Sequence, residues 1–227
     1  MSVFLLENDI FFPHASMAQE DGLLAIGGDL SPERIIEAYK NGIFPWYSED
    51  YPIMWWSPNP RMVMFPKEFK RAKSLKRLVN KEIFEIKFDT NFKNVIIQCA
   101  EVDRGNQDGT WITQDMIASY IKLHELGIAH SVETYHEGQL VGGLYGLAIG
   151  KVFFGESMFH KKTDASKVAF WYLVEKLLEW DFDIIDAQQQ TDHFESLGGK
   201  AIHRKKFLTL LKLSVEKPQK FKNWSNQ

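Results

Sequence analysis

The 227-residue sequence predicts an α+β fold: a small N-terminal α/β unit over 1–61, then a larger domain over 62–227 built on a mixed, largely antiparallel sheet. Two observations predict it. Three apolar stretches, 129–135, 139–149 and 152–159, follow one another with only the turns His136-Glu137-Gly138 and Gly150-Lys151 between them, the pattern of consecutive hairpins. Helical patterns at 92–101, 114–126 and 164–180 stand apart from that run. Gly150, at the first central position of its turn, suits a type II′ geometry.

The first sixty residues read as irregular except for one helix over 32–40. Ser31 is placed as its N-cap, Pro32 fits the first helical position, Leu30 can staple onto Ile35, and Asn41-Gly42 supplies a left-handed exit. The prolines and tryptophans of Phe44-Pro45-Trp46 and Trp55-Trp56-Ser57-Pro58-Asn59-Pro60 leave little room for regular structure, so packing is expected to hold that segment. From Arg61 onward the pattern is strand 62–65, helix 67–80, strand 84–88, the helices and hairpins already named, strand 182–187 and a short helix 192–197. A basic C-terminal segment follows, and the polar tail after Lys217 is expected to fray.

Composition narrows the class. With 44% apolar residues and 25% charged, the chain can bury a substantial core. The single cysteine, Cys99, cannot form an internal disulfide, which points to a reducing compartment. The apolar start is broken by Glu7, Asn8 and Asp9, and no apolar run approaches the roughly 20 residues of a bilayer span, so no membrane association and a cytoplasmic location are expected. The net charge of −3 argues against a protein that coats nucleic acid over its whole surface, but a local basic patch remains open. No phosphate-binding P-loop, dinucleotide fingerprint, zinc spacing or nucleophile elbow is present, and no metal site is expected.

Three stretches carry candidate chemistry. In the strand ending Ile184-Ile185-Asp186-Ala187-Gln188, period-two geometry puts Ile184, Asp186 and Gln188 on one face, an acid beside an amide. At the end of an apolar strand that pair suits a cleft where a carboxylate receives a proton or orients an amine; the alternative is an acid that caps the next turn. Glu156 lies among Phe153, Phe154, Met158 and Phe159, so it needs either a basic partner or a ligand cation. Phe153, Met158 and Trp111 are candidates for an apolar pocket beside it. In the helix expected over 67–80, Phe69, Ala72 and Leu75 face inward, while six cations, among them Lys70, Arg71, Lys73, Lys76 and Arg77, are opposed only by Glu68. A solvated face usually mixes signs, so this stripe points to a polyanion; Lys200, His203, Arg204, Lys205 and Lys206 form a second candidate.

Gly22-Leu23-Leu24-Ala25-Ile26-Gly27-Gly28-Asp29-Leu30-Ser31, Asn41-Gly42-Ile43-Phe44-Pro45-Trp46 and Trp55-Trp56-Ser57-Pro58-Asn59-Pro60-Arg61 closely resemble segments of the bacterial leucyl/phenylalanyl-tRNA–protein transferases. The resemblance continues through Thr110-Trp111-Ile112-Thr113, Gly142-Gly143-Leu144-Tyr145-Gly146, Phe154-Gly155-Glu156-Ser157-Met158-Phe159, Ala165-Ser166-Lys167 and Ile185-Asp186-Ala187-Gln188, nearly the whole chain. It implies a GNAT-like acyltransferase domain after the small N-terminal one. It also implies transfer of leucine or phenylalanine, with methionine a further candidate, from leucyl-tRNA or phenylalanyl-tRNA to proteins with an N-terminal arginine or lysine, which are thereby marked for degradation. No cofactor is implied, and a monomer is expected.

By the same resemblance Asp186 and Gln188 are the catalytic pair and Glu156 holds the donor's amino group. Trp111, Phe153, Met158 and Ile185 wall the side-chain pocket, Trp46 stacks on the terminal adenine, and the stretch from Lys70 to Arg77 meets the acceptor stem. An acetyl-CoA-dependent acetyltransferase is a weaker fit, because 160–166 lacks the clustered glycines of a pyrophosphate loop. A module that only binds tRNA or basic N-termini is the non-enzymatic alternative.

Overall fold

The computed structural model describes residues 3–102, 110–219 and 223–225, apart from the side chain of His193. In chain order the elements are β1 (Phe4–Leu6), β2 (Leu23–Gly27), α1 (Pro32–Lys40), β3 (Phe44–Pro45), β4 (Met54–Trp56), β5 (Arg61–Met64), α2 (Lys73–Val79), β6 (Glu85–Phe88), α3 (Phe92–Ala100) and α4 (Gln114–Glu125). There follow β7 (Ala129–His136), β8 (Gln139–Ile149), β9 (Val152–His160), α5 (Ala165–Glu179), β10 (Ile184–Gln188), α6 (Asp192–Ser196), β11 (Lys200–Ile202) and α7 (Arg204–Val215). Among the described residues no helix is long and apolar enough to cross a membrane.

Strands β1 to β4 form a four-stranded sheet in the order β1-β2-β4-β3; the rest form a seven-stranded sheet in the order β11-β5-β10-β9-β8-β7-β6. Within the larger sheet β9 and β10 run parallel and their other pairings are antiparallel, so the mixed, largely antiparallel α+β architecture stands as expected. Strand alternation divides the core in two. Val63, Tyr145, Phe154 and Ile184 pack toward α1, α3, α4 and α7, while Met62, Met64, Leu144, Phe153 and Ile185 pack toward α5 on the other face.

Both hairpin turns form where expected. Glu137 and Gly138 have φ of 51° and 74°, and Gly150 has φ of 58° where a Cβ would collide with the Ser214 and Val215 carbonyls. Helix α1 has the expected bounds, with Gly42 at φ 73° behind it, but the Ser31 hydroxyl makes no cap hydrogen bond; instead its amide donates to Asp29 Oδ1 at 2.8 Å.

Three further expectations fail. The tryptophan-rich segment is regular: Trp55 and Trp56 lie in β4, between β2 and β3, where Trp55 is fully buried and donates to Gly27 O at 2.9 Å. The helix expected over 67–80 is split into a single 3-10 turn, Pro66–Glu68, and α2, because the Lys70 amide donates to Leu197 O instead of to its own helix; Ala72 is exposed. The tail does not simply fray. Trp224 is buried, stacks on His130 at 4.0 Å, and its amide donates to Asp89 Oδ2 at 3.2 Å. Residues 220–222, 226 and 227 of that tail lie outside the described residues.

Candidate active site

The parallel pairing of β9 with β10 ends at Phe154 opposite Asp186, and the residues beyond that point on both strands border empty space. On the α5 side this space is a cavity of about 240 Å³ walled by Leu144, Phe153, Met158, Phe170, Ile185 and Phe194, with Glu156 and Gln188 at its edge. On the other side a second cavity, of about 260 Å³, is lined by Phe44, Pro45, Trp46, Trp111, Gln189 and the same Glu156 and Gln188. The carboxylate and the amide therefore stand where an apolar cavity meets an aromatic one.

Glu156 is held from three sides. Tyr39 Oη of α1 donates to its Oε1 at 2.7 Å, Tyr120 Oη of α4 donates to Oε2 at 3.2 Å, and Gln188 Nε2 donates to Oε1 at 3.0 Å. The two phenols lie 2.8 Å apart. Burial pushes the Glu156 carboxyl up to about 7, and the nearby Asp186 charge adds to the rise, while the hydrogen bonds from Tyr39, Tyr120 and Gln188 oppose it. Burial beside that carboxylate pushes both phenols well above their ordinary range, which keeps them neutral donors. Of the two alternatives the sequence left for Glu156, a basic partner is not what the described residues supply; its partners are neutral.

Asp186 is the acid with a cation. Arg61, at the head of β5, donates from Nε to Asp186 Oδ1 at 2.8 Å and from Nη2 to Oδ2 at 2.7 Å, both side chains fully buried. The guanidinium lies between the Phe44 and Phe207 rings, 4.9 and 4.7 Å from their centroids, and its Nη1 donates to Gly42 O at 3.2 Å. Asp186 Oδ1 also accepts from the Gln188 amide at 3.0 Å. That bond spans a bulge: the register against β5 shifts between Asp186 and Gln188, and Gln188 adopts φ of 58°. Ion pair and bulge together aim the Gln188 side chain at Glu156.

The sequence candidates fall into four groups. Glu156, Phe153, Met158, Ile185 and Gln188 converge on the apolar cavity. Trp111 does not join that wall; it lines the aromatic cavity with Trp46, where Tyr47 Oη, 3.3 Å from Thr113 Oγ1, ties the two segments together. Asp186 borders neither cavity. Lys73, Lys76 and Arg77 project from α2 and Lys70 lies exposed before it, whereas Arg71 is paired with Glu175 at 2.7 Å and rests against Phe69 and Trp171. In the second basic candidate, Arg204 turns inward, bonding the Ser57 carbonyl through its guanidinium. Sequence reasoning missed Arg61, Tyr39 and Tyr120. An arginine heading a strand of buried apolar residues was a usable signal, since such a charge requires an acid; the two tyrosines read as ordinary helix core.

Where the parallel strand pair separates, an apolar cavity opens on a carboxylate and an amide. Residues 63–212 match the family described as leucyl/phenylalanyl-tRNA protein transferase, and residues 28–59 match that family's N-terminal domain. Three proteins named leucyl/phenylalanyl-tRNA–protein transferase are similar along most of their length. That of Syntrophobacter fumaroxidans is 52% identical over 227 residues, all of this chain and 97% of its own. That of Dechloromonas aromatica is 56% identical over 198 residues, covering 86% of this chain and 85% of its own, and that of Nitrosospira multiformis is 51% identical over 221, covering 96% and 95%. Among solved structures, a GCN5-related N-acetyltransferase from Kribbella flavida aligns over 73% of this chain and 59% of its own, with 10% identity and a TM-score of 0.39. The chain belongs to the leucyl/phenylalanyl-tRNA–protein transferase family.

Proposed function

We propose that the protein transfers leucine or phenylalanine from leucyl-tRNA or phenylalanyl-tRNA to the N-terminal α-amine of proteins that begin with arginine or lysine. The observation that carries this reading is the junction of the two cavities at Glu156 and Gln188. The apolar cavity takes the aminoacyl side chain, Glu156 its amino group, and the aromatic cavity, with Trp46 and Trp111, the terminal adenosine. Each methylene buried contributes about 0.8 kcal/mol, which selects large apolar side chains over small or charged ones but discriminates weakly among leucine, phenylalanine and methionine.

The donor ester is already activated, so the protein's work is alignment. Gln188 spends its amide N–H on Glu156, which leaves its Oε1 to accept from the incoming amine. Asp186 positions that amide: its oxygens are engaged by Arg61, and Oδ1 fixes the Gln188 backbone. The amine nitrogen bonds to the ester carbonyl carbon, the ester C–O bond breaks, and the amine's proton passes by way of the neighbouring ribose hydroxyl to the departing oxygen. The exposed cations Lys70, Lys73, Lys76 and Arg77 belong to the tRNA-facing surface in this reading.

Incubating the protein with leucyl-tRNA and a peptide beginning with arginine should add one leucine residue, read by mass spectrometry. A peptide beginning with alanine, or acetyl-CoA in place of the tRNA, should give no product. Failure with both leucyl-tRNA and phenylalanyl-tRNA by folded protein would overturn the reading.

A further inference from the structure

One wall of the apolar cavity is braced from outside it. Phe153 of β9 lines that cavity, and its register partners are Ile185 on β10 and Ala148 on β8. The Phe153 ring lies over Gly146 of β8, where a Cβ would come within 2.6 Å of Phe153 Cζ, so the glycine lets the ring lean away from β10. Gly146 pairs with His130 of β7, and the Trp224 indole covers the His130 ring at 4.0 Å, 4° from parallel. There the indole meets Phe153, with centroids 5.9 Å apart and planes inclined by 33°. It stands where the leaning ring would otherwise continue toward β7.

Trp224 is itself held in place. Trp180, at the C-cap of α5, meets it edge-on at 5.1 Å, Phe88 of β6 lies 6.5 Å away, and the Trp224 backbone amide donates to Asp89 Oδ2 at 3.2 Å. The indole borders neither site cavity, and its line to them runs through Phe153.

We propose that Trp224 is a positioning residue for the donor pocket: by stopping Phe153 on the β7 side it fixes the width of the apolar cavity, and with it the preference between leucine and phenylalanine. The cavity's use for a donor side chain rests on the proposed aminoacyl-tRNA reading; the hold of Trp224 on Phe153 does not. Without the indole the ring has space to follow, and the cavity widens. A leucine side chain then loses contact with its wall, whereas a benzyl group gains room.

The test has two arms, both on the full chain. Trp224→Phe and Trp224→Ala remove successively more of the indole and keep the backbone amide that bonds Asp89. With leucyl-tRNA and phenylalanyl-tRNA competing for one arginine peptide, the ratio of phenylalanine to leucine transferred should rise about twofold in Trp224→Phe and about fivefold or more in Trp224→Ala. The change should lie in KM for leucyl-tRNA, with kcat within about twofold of the wild type, because Glu156 and Gln188 keep their places. Free indole, matching the space left in Trp224→Ala, should bring the ratio back. Ile96→Ala, which opens space in the core on the other face of the sheet, should leave the ratio unchanged. Loss of both transfers in proportion to lost thermal stability, with no change of ratio, would make Trp224 a packing residue and overturn the proposal.

In the second arm, leucinamide and phenylalaninamide are titrated into the unreacted protein and followed on the methyl resonance of Met158, which borders the cavity. The ratio of the two Kd values should shift in the same direction as the transfer ratio. An unchanged ratio in Trp224→Phe, which keeps most of the packing, overturns the proposal even if Trp224→Ala fails to fold. Should the wild type transfer neither amino acid, it is the transferase reading that falls, and the amide titration alone then decides whether Trp224 sets the cavity's width.

Discussion

Arg61 and Asp186, 125 residues apart in sequence, meet in a two-pronged ion pair of 2.8 and 2.7 Å with both side chains fully buried. The pair does more than join β5 to β10. Because Asp186 Oδ1 also holds the Gln188 amide, the guanidinium sets the bulge from which Gln188 reaches Glu156.

Removing one partner should cost both stability and turnover. Asp186→Asn leaves the Arg61 charge buried without its counter-ion, and the expected loss is about 3–5 kcal/mol in urea unfolding. In the double variant Arg61→Met with Asp186→Asn most of that stability should return, since no bare charge remains. Turnover should stay low, because the asparagine carbonyl still accepts from the Gln188 amide but no guanidinium remains to hold it in the position that sets the bulge. Full recovery of kcat in the double variant would show that Asp186 serves only to neutralise Arg61.

Glu156 gives the site a pH dependence whose sign can be worked out. Its carboxyl is raised from 4.5 to about 7 on folding, so the folded state holds that proton more tightly than the unfolded chain. Its contribution to stability is full below about pH 4.5, is lost as pH rises through about 7, and is flat above. Glu156→Gln has no proton to lose. Relative to the wild type it should gain stability across that window, by at most about 3 kcal/mol and by less where cavity water reaches the carboxylate. The KM for donor should fall in the wild type as Glu156 ionises, and lose that dependence in Glu156→Gln. Because the Tyr39 hydrogen bond opposes the rise, Tyr39→Phe should move the midpoint upward; a downward move would contradict the assignment.

Gly155 borders the apolar cavity proposed for the donor side chain. A Cβ built there meets only the Asp186 carbonyl oxygen, at 3.8 Å, an ordinary contact. Gly155→Ala and Gly155→Val should therefore fold while filling space that the larger donor needs. Phenylalanine transfer should fall relative to leucine transfer, by a factor of about 10 for the valine variant. Competition between the two charged tRNAs for one peptide measures the ratio, and an unchanged ratio would place the side chain elsewhere.

The hairpins of β7, β8 and β9 were legible because long apolar runs were separated by glycine turns, and α1 because proline and glycine marked its ends. The small sheet was not. Its strands are two to five residues long, too short for alternation to register, and it is assembled by pairings such as Phe4 with Ala25 that no local pattern encodes. Helix α2 was drawn too long because a tertiary bond from the Lys70 amide to Leu197 outweighed local propensity. At the site, the acids and the amide announced themselves as polar residues in apolar strands. Tyr39 and Tyr120 did not, because a tyrosine on a helix's inner face satisfies the apolar pattern whether or not its hydroxyl has work to do.

The last expectation concerns the basic stretch, whose cations are not equivalent. Lys73, Lys76 and Arg77 are exposed on α2, while Arg71 already bonds Glu175 and packs on Phe69 and Trp171. If α2 faces the tRNA, replacing the first three with glutamine should weaken kcat/KM for the charged tRNA and flatten its dependence on the logarithm of salt concentration, by about one unit of slope for each phosphate no longer neutralised. Phenylalanyl-adenosine, which has no acceptor stem, should react as before. Arg71→Gln should instead change thermal stability by no more than about 1 kcal/mol, because its ion pair is largely open to solvent. A salt slope that persists unchanged in the triple variant would move the acceptor stem to another face of the protein.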